Sequence, residues 1–327
     1  MALQDILGSA PITTDSLSQP STLSFLGSAA GQAAATAIPV APVTTPPGAQ
    51  FSAIYAFGDS TTDAGNISLA TAGLLPVSPP YGRVFSDGPV WIQDVAQKIG
   101  YPAIRPSLAG GTDFAYGGAH TGATPTHAVN ATDFTSQIGQ FNTQVAAPQA
   151  NALYAIWIGG NDVFEIANNT ALTLPQQQTA IGQAVQNEVA GISALAARGG
   201  KDFLVLNIPD LGKTPNEIAR PATQTTATYL SGLYNVELAQ AVDGLRASGA
   251  LKIDLIDTFG LLNLAIANPA AAGFTDVTTP EWTGNLTDSH SGTLNTTGSH
   301  LYFDNIHPTA QAHALLADHI VPTLPMA

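Results

Sequence analysis

From residue 50 onward, short apolar runs alternate with longer stretches whose apolar residues recur at helical spacing. The runs Ala53–Phe57, Thr112–Tyr116, Leu153–Ile158, Phe203–Ile208 and Lys252–Ile256 are rich in β-branched and aromatic residues. They read as short strands covered on both faces. Between them, Trp91–Ile99, Phe134–Val145, Gln178–Arg198 and Thr223–Ala247 read as helices, and Thr309–Ile320 closes the series. Strands separated by helices of this length predict βαβ units, a parallel sheet and right-handed crossovers. Residues 1–50 break the pattern. They are rich in Ala, Ser, Thr and Pro, carry only Asp5 and Asp15 as charges, and end in the Pro-punctuated stretch 38–47. That composition predicts a tail or linker without a core of its own, followed by one domain over residues 51–327.

Composition narrows the partners. The 327 residues are 45% hydrophobic, enough for one large α/β core. Nine basic residues against 23 acidic ones give a net charge of −14, which argues against nucleic acid and against electrostatic docking on anionic lipid. A lipid substrate stays open, because acyl chains are recognised by apolar surface. The chain has no cysteine, so disulfides and thiolate metal sites are excluded. No uninterrupted apolar run reaches about twenty residues, the length a membrane-spanning helix needs. The first basic residue is Arg83, so residues 1–50 lack the basic start of a secretory signal. Scarce Lys and Arg, with abundant Ala, Thr, Gly and Asn, nevertheless fit an extracellular or cell-surface protein. The sequence sets neither oligomeric state nor export route.

The first chemical signal is Gly58-Asp59-Ser60, set directly after the strand candidate that ends at Phe57. A serine at a strand-to-helix turn points its hydroxyl away from the sheet, and the backbone N–H groups after it face the same space. Alone, the triplet reads equally well as an ordinary turn, since Gly, Asp and Ser are all turn formers. Three further blocks follow in order: Phe114-Ala115-Tyr116-Gly117-Gly118-Ala119, Trp157-Ile158-Gly159-Gly160-Asn161-Asp162 and Asp304-Asn305-Ile306-His307-Pro308. Each carries a group that acyl transfer requires.

This set resembles the GDSL family, also called SGNH hydrolases, over roughly residues 52–319. The resemblance is closest to the long-chain branch of bacterial lipases, haemolysin-like phospholipases, autotransporter esterases and plant lipases. Those also carry a Gly-Asn soon after the serine, here Gly65-Asn66, and a segment similar to Pro79-Pro80-Tyr81-Gly82-Arg83-Val84-Phe85-Ser86-Asp87-Gly88-Pro89-Val90-Trp91. Thr61 departs from the leucine usual in the family, at a packing position. The resemblance implies an α/β fold, a flavodoxin-like three-layer α/β/α sandwich with its site at the C-terminal ends of the strands. It also implies a serine esterase or lipase that needs no cofactor.

A serine hydroxyl needs a base within hydrogen-bond reach. Of seven histidines, His307 is preferred because Asp304 lies three residues before it in a loop, close enough to orient the ring. The expected triad is Ser60, Asp304 and His307. The family pattern assigns the oxyanion donors to the backbone N–H of Ser60, a glycine N–H and the Asn161 side chain. Gly118 aligns best with that glycine, and Gly117 stays open beside it. Asp59, Asp63 and Asn66 are expected to hold the serine turn, and Asp210 to shape another. Tyr81, Phe85 and Trp91 are candidates for an apolar wall around the acyl group. No histidine pair with carboxylates has metal-ligand spacing in the sequence, so no metal is expected. The expected partner is an ester, lipids included. Two rival readings use the same residues, lipid acyl transfer and carbohydrate deacetylation; a third, a secreted binding domain without turnover, predicts loss of Ser60, Asn161, Asp304 or His307, and all four are present.

Overall fold

The computed structural model describes residues 39–41, 45 and 49–324. Nearly all of the expected tail therefore lies outside the described residues. The first half of the domain contains β1 (Ile54–Gly58), α1 (Asn66–Ala70), α2 (Trp91–Lys98), α3 (Phe134–Gln144), β2 (Leu153–Trp157), α4 (Gly160–Asn168) and α5 (Leu174–Ala197). The second half contains β3 (Asp202–Leu206), α6 (Pro215–Ile218), α7 (Pro221–Arg246), β4 (Lys252–Ile256), α8 (Thr258–Ala267), β5 (Asp276–Pro280), β6 (His300–Tyr302) and α9 (Ala310–Ile320).

Strands β1 to β4 form one parallel sheet in chain order, with Ile54 opposite Leu153, Leu153 opposite Asp202, and Asp202 opposite Lys252. The run Thr112–Tyr116 was expected as a full strand and is only loosely paired. Its backbone follows the free edge of β1 through Ala56 N–H to Thr112 O (3.0 Å), Phe114 N–H to Ala56 O (2.8 Å) and Tyr116 N–H to Gly58 O (3.2 Å). Asp113 also bridges to Pro106, which turns this edge into an irregular loop. With that segment counted second, the spatial order is the flavodoxin-like 2-1-3-4-5. The chain reverses its crossover direction beside β1, and open α/β sheets place their crevice at that switch. Ser60 follows β1 by two residues.

Alternate side chains of each strand enter different cores, as the two-residue period of a strand requires. Tyr55, Phe57, Tyr154, Ile156, Phe203 and Val205 pack with α3, α4, α5 and α7. Ile54, Ala56, Leu153, Ala155, Leu204 and Leu206 pack with α2 and α9. The result is the three-layer α/β/α sandwich. Helix α5 starts four residues before the predicted Gln178, because Thr173 N–H finds the Gln176 side chain at 2.8 Å and Pro175 suits a first turn. Helices α4 and α8 were not anticipated. Helix α8 reads TFGLLNLAIA, apolar around nearly its whole circumference, and so offers no 3.6-residue period.

Two constraints fix the end of β1. A Cβ on Gly58 would lie 2.4 Å from the Trp157 carbonyl oxygen and 2.8 Å from Thr62 Oγ1, so only glycine fits there. Gln137, fully buried on α3, accepts from Gly58 N–H at 3.0 Å and donates to Gly58 O and Thr132 O, both at 2.7 Å. The turn that carries Ser60 thus hangs from a side-chain amide clamp. Gln137→Ala leaves a buried N–H without that partner and should lower unfolding free energy by about 3 kcal/mol in urea titration. A loss below about 0.5 kcal/mol would show that the clamp contributes nothing.

Candidate active site

Asp59 closes the turn after β1. Its Oδ1 accepts from Thr61 N–H at 2.9 Å and from the Thr61 hydroxyl at 2.8 Å, while its carbonyl accepts from Thr62 and Asp63 N–H. Thr61, the residue that departs from the family pattern, therefore bonds within the turn. Asp63 reaches further. Its carboxylate collects the N–H groups of Gly65 (2.8 Å), Asn66 (2.5 Å), Ile67 (3.2 Å) and Gly117 (2.9 Å). Burial outweighs those four donors and pushes the Asp63 carboxyl up to about 6. Asn66 ties the same turn to the edge segment by donating to Asp113 O and Ala115 O, each at 2.9 Å.

The chain brings Ser60, His307 and Asp304 together across 247 positions. Ser60 Oγ lies 2.8 Å from His307 Nε2, and His307 Nδ1 lies 2.8 Å from Asp304 Oδ2. An acceptor on Nδ1 fixes the proton there and leaves the Nε2 lone pair facing the serine hydroxyl. Asp304 Oδ1 accepts from the N–H groups of Ile306 (2.8 Å) and His307 (2.7 Å), and Oδ2 also accepts from the Tyr81 hydroxyl at 2.8 Å. Burial works against the charge on Asp304, but His307 and the backbone donors hold its carboxyl below the usual range. A further bond, Phe303 N–H to His307 O at 2.8 Å, closes the loop that follows β6.

Among the oxyanion candidates, Gly117 N–H is committed to Asp63, whereas Gly118 adopts a left-handed backbone (φ 79°) with no acceptor assigned to its N–H. Asn161, in the first turn of α4, donates to Ala119 O at 2.8 Å and shares a cleft with Ser60. Its neighbour Asp162 is buried and accepts from Thr121 N–H (2.9 Å) and the Thr121 hydroxyl (3.0 Å), so α4 grips the loop after Gly118 twice.

The acyl wall expected from Tyr81, Phe85 and Trp91 lies elsewhere. Tyr81 and Phe85 are buried behind the His–Asp pair. Phe85 stands 5.3 Å, ring to ring, from His307, and a Cβ on Gly117 would meet it at 2.3 Å. Trp91 belongs to the core under the sheet and donates its ring N–H to Thr62 Oγ1 at 3.1 Å. None of the three lines the cleft. A cavity of about 620 Å³ opens from Ser60 and Asn161 and is walled instead by Phe164, Leu211, Leu261, Ala265, Ile306 and Leu316. Leu264 and Leu315, on the α8 and α9 walls, are exposed. The only sequence signal for this wall was the all-apolar α8. Asp210 accepts from Lys213 N–H at its carbonyl (2.9 Å), within the turn after β3, and its buried carboxylate accepts from the Thr228 hydroxyl of α7 at 2.6 Å.

Of the remaining histidines, His290 and His319 are exposed, and His313 is buried in the cleft wall, where desolvation pushes it down to about 3. His120 and His127 meet Glu165 of α4, although 38 residues of chain separate His127 from that carboxylate. Burial disfavours an ionised Glu165, yet the two rings beside it hold its carboxyl down at about 2.

Residues 54–320 match the GDSL-like lipase/acylhydrolase family. A phosphatidylcholine-sterol acyltransferase of Aeromonas hydrophila is 31% identical over 211 residues, which cover 63% of this chain and 59% of that protein. An acetylesterase of Thermothelomyces thermophilus is 26% identical over 81% of this chain and 85% of its own length. The GDSL esterase/lipase At1g73610 of Arabidopsis thaliana is 28% identical over 84% and 89%. Among solved structures, the acetylxylan esterase Axe2 of Geobacillus stearothermophilus superposes with a TM-score of 0.42 at 14% identity, over 84% of this chain and 95% of that one.

The buried carboxyls around the site make stability depend on pH. Burial raises Asp63 and Asp162 to about 6 and Glu188, under the Tyr234 hydroxyl, to about 8. Each binds its proton more tightly folded than unfolded, so its contribution is full below the unfolded value and lost as pH rises through the folded one. Asp304 and Glu165 carry the opposite sign in a window below about pH 4.5, and His313, held neutral by burial, carries it up to about pH 6.5. Above pH 6.5 the raised Glu188 acts without that opposition, and the urea midpoint should fall from pH 7 to pH 9. A midpoint that rises over that interval would contradict the assignment of raised, buried carboxyls.

Proposed function

The chain belongs to the GDSL-like lipase/acylhydrolase family, and from that premise we propose that it is a serine esterase of the lipase type, with Ser60 as nucleophile. The observation that carries this reading is the hydrogen-bonded series Ser60–His307–Asp304 at the mouth of an apolar cleft. His307 takes the Ser60 proton at Nε2 as the oxygen adds to the ester carbonyl, and Asp304 stabilises the imidazolium that forms. The tetrahedral oxyanion meets the N–H groups of Ser60 and Gly118 and the Asn161 amide. Collapse expels the alcohol, which takes the proton from His307, and leaves an acyl group on Ser60. Water then enters by the same route and releases the acid. Tyr81 acts through Asp304 as a positioning residue, since its hydroxyl holds the oxygen that orients His307.

The cleft supports an acyl chain several carbons long, because its walls are aliphatic for most of their extent and its volume falls among small-molecule pockets of about 300–1,000 Å³. A net charge of −14 leaves apolar contact as the way to hold a lipid. Among the described residues no helix is long and apolar enough to cross a membrane. An extracellular or cell-surface location remains our reading of composition alone. Acyl transfer to a second alcohol is the second reading, favoured by the similarity to the Aeromonas acyltransferase. It needs no additional residue, only an alcohol in place of water.

p-Nitrophenyl esters from acetyl to dodecanoyl test both levels. Each methylene that enters the cleft is worth up to about 0.8 kcal/mol, so kcat/KM should climb by as much as roughly fourfold per carbon over the first several carbons. Ser60→Ala should stay folded and lose turnover throughout the series. Undiminished turnover in that variant would overturn the nucleophile. A maximum at acetyl would overturn the long-chain reading and favour acetyl esters, and product partition with added alcohol separates hydrolysis from transfer.

A further inference from the structure

We propose that His120, His127 and Glu165 form a site for one divalent transition-metal ion of the zinc class, joining the loop after Gly118 to the helix that carries Asn161. The three ligand atoms lie within 4.8 Å of one another. Glu165 Oε2 is 3.1 Å from His120 Nε2 and 3.6 Å from His127 Nδ1. Bonds of about 2.0–2.2 Å to a tetrahedral ion put neighbouring ligand atoms roughly 3.3–3.5 Å apart, between the two distances found here.

The acceptors around the rings orient them toward one point. His127 Nε2 lies 2.9 Å from Asp133 Oδ2, and Asp133 also accepts from the N–H groups of Asn130 (2.8 Å) and His120 (3.1 Å). That acceptor keeps a proton on Nε2, and Nδ1 faces Glu165 at 3.6 Å, too long for a close hydrogen bond. With a carboxylate on each side of the ring, an ion taken up here displaces a proton from Nδ1. His120 is buried, and neither of its ring nitrogens makes a well-formed hydrogen bond, so its 3.1 Å approach to Glu165 lies off the direction such a bond requires. Carboxylate–histidine–metal is the arrangement that zinc sites use to fix a ligand's tautomer, and Asp133 occupies the outer position. Two imidazoles with one carboxylate suit zinc, cobalt or nickel rather than magnesium or calcium. Glu165, with a side chain 22% exposed, leaves an entry path. The rings stack at 3.8 Å with an interplanar angle of 14°, so ligation must open the stack to aim both lone pairs at one ion.

The ion would act on the loop that bears Gly118. His120 follows Ala119, whose carbonyl accepts from Asn161, and Glu165 stands one helical turn beyond Asn161 on the same face of α4. The positioning role rests on the serine esterase reading, whereas the binding itself does not.

Chelator-stripped full-length protein titrated with Co²⁺ should bind one ion per chain and develop the visible absorption of a tetrahedral cobalt centre. Zn²⁺ at a hundredfold excess over its Kd should raise Tm by about 4 °C or more. Glu165→Gln and His127→Ala should lose the absorption and the shift, and Ser60→Ala should keep both. Because either ligand variant could fold poorly, long-range ¹H–¹⁵N spectra of the wild type give a second readout. Zn²⁺ should move the ring nitrogens of His120 and His127 and leave those of His290 and His319 in place. Absence of saturable binding, binding undiminished in both ligand variants, or zinc shifts confined to other histidines would each overturn the site. Any of these would leave the Ser60 reading standing.

Discussion

Asp63 is a buried carboxylate that accepts four backbone N–H groups, three from the turn just beyond it and one from Gly117 on a different loop. An anion in this position costs a great deal of solvation, and burial pushes its carboxyl up even with all four donors present. What the cost secures is geometry. The Ser60 turn and the Gly117-Gly118 loop cannot move independently while one carboxylate holds both. The proposed attack requires that coupling, because nucleophile and oxyanion donor sit on separate segments and must meet the same carbonyl.

Other contacts extend the same logic outward. Gln137 fixes Gly58 from beneath, and Trp91 steadies Thr62 from the opposite core. On the far side, Phe85 fills the space between Gly117 and His307, while Tyr81 completes the donor set around Asp304. These aromatics pack behind the His–Asp pair, which leaves the wall of the cleft to α8, α9 and the loop after β3. That wall is apolar and partly open, in a protein whose net charge is −14. The division suits a substrate that offers a chain to the cleft and presents no anionic group for basic residues to hold.

Much of this was legible in the sequence, for physical reasons that can be named. Strands covered on both faces must be apolar runs, so β1, β2 and β3 stood out, and the blocks after β1, the edge segment, β2 and β6 pointed to Ser60, Gly118, Asn161 and the pair Asp304 and His307. The edge segment 112–116 misled because its composition is that of a strand, while Asp113 and the bridge to Pro106 distort its pairing. Tyr81 and Phe85 misled for a different reason: an aromatic in a Pro- and Gly-rich loop carries no sign of which way it turns, and here the loop folds both rings inward. Trp91 opens α2, and its ring enters the core under the sheet. Helix α8 was invisible because a helix apolar on every side has no periodicity. The meeting of His120, His127 and Glu165 depends on how the loop after Gly118 lies across α4, which residue spacing does not encode.

The central claim is that one serine among the many in this chain is a nucleophile, activated by His307 at the end of β1. Reaction with a fluorophosphonate ester, followed by peptide mapping in a mass spectrometer, addresses it most directly. The account predicts one phosphonyl group per chain, on Ser60, with labelling slowed severely when His307 is replaced by Gln. Modification of any other residue at comparable rate, or a Ser60 left unmodified in protein that still cleaves esters, would contradict it.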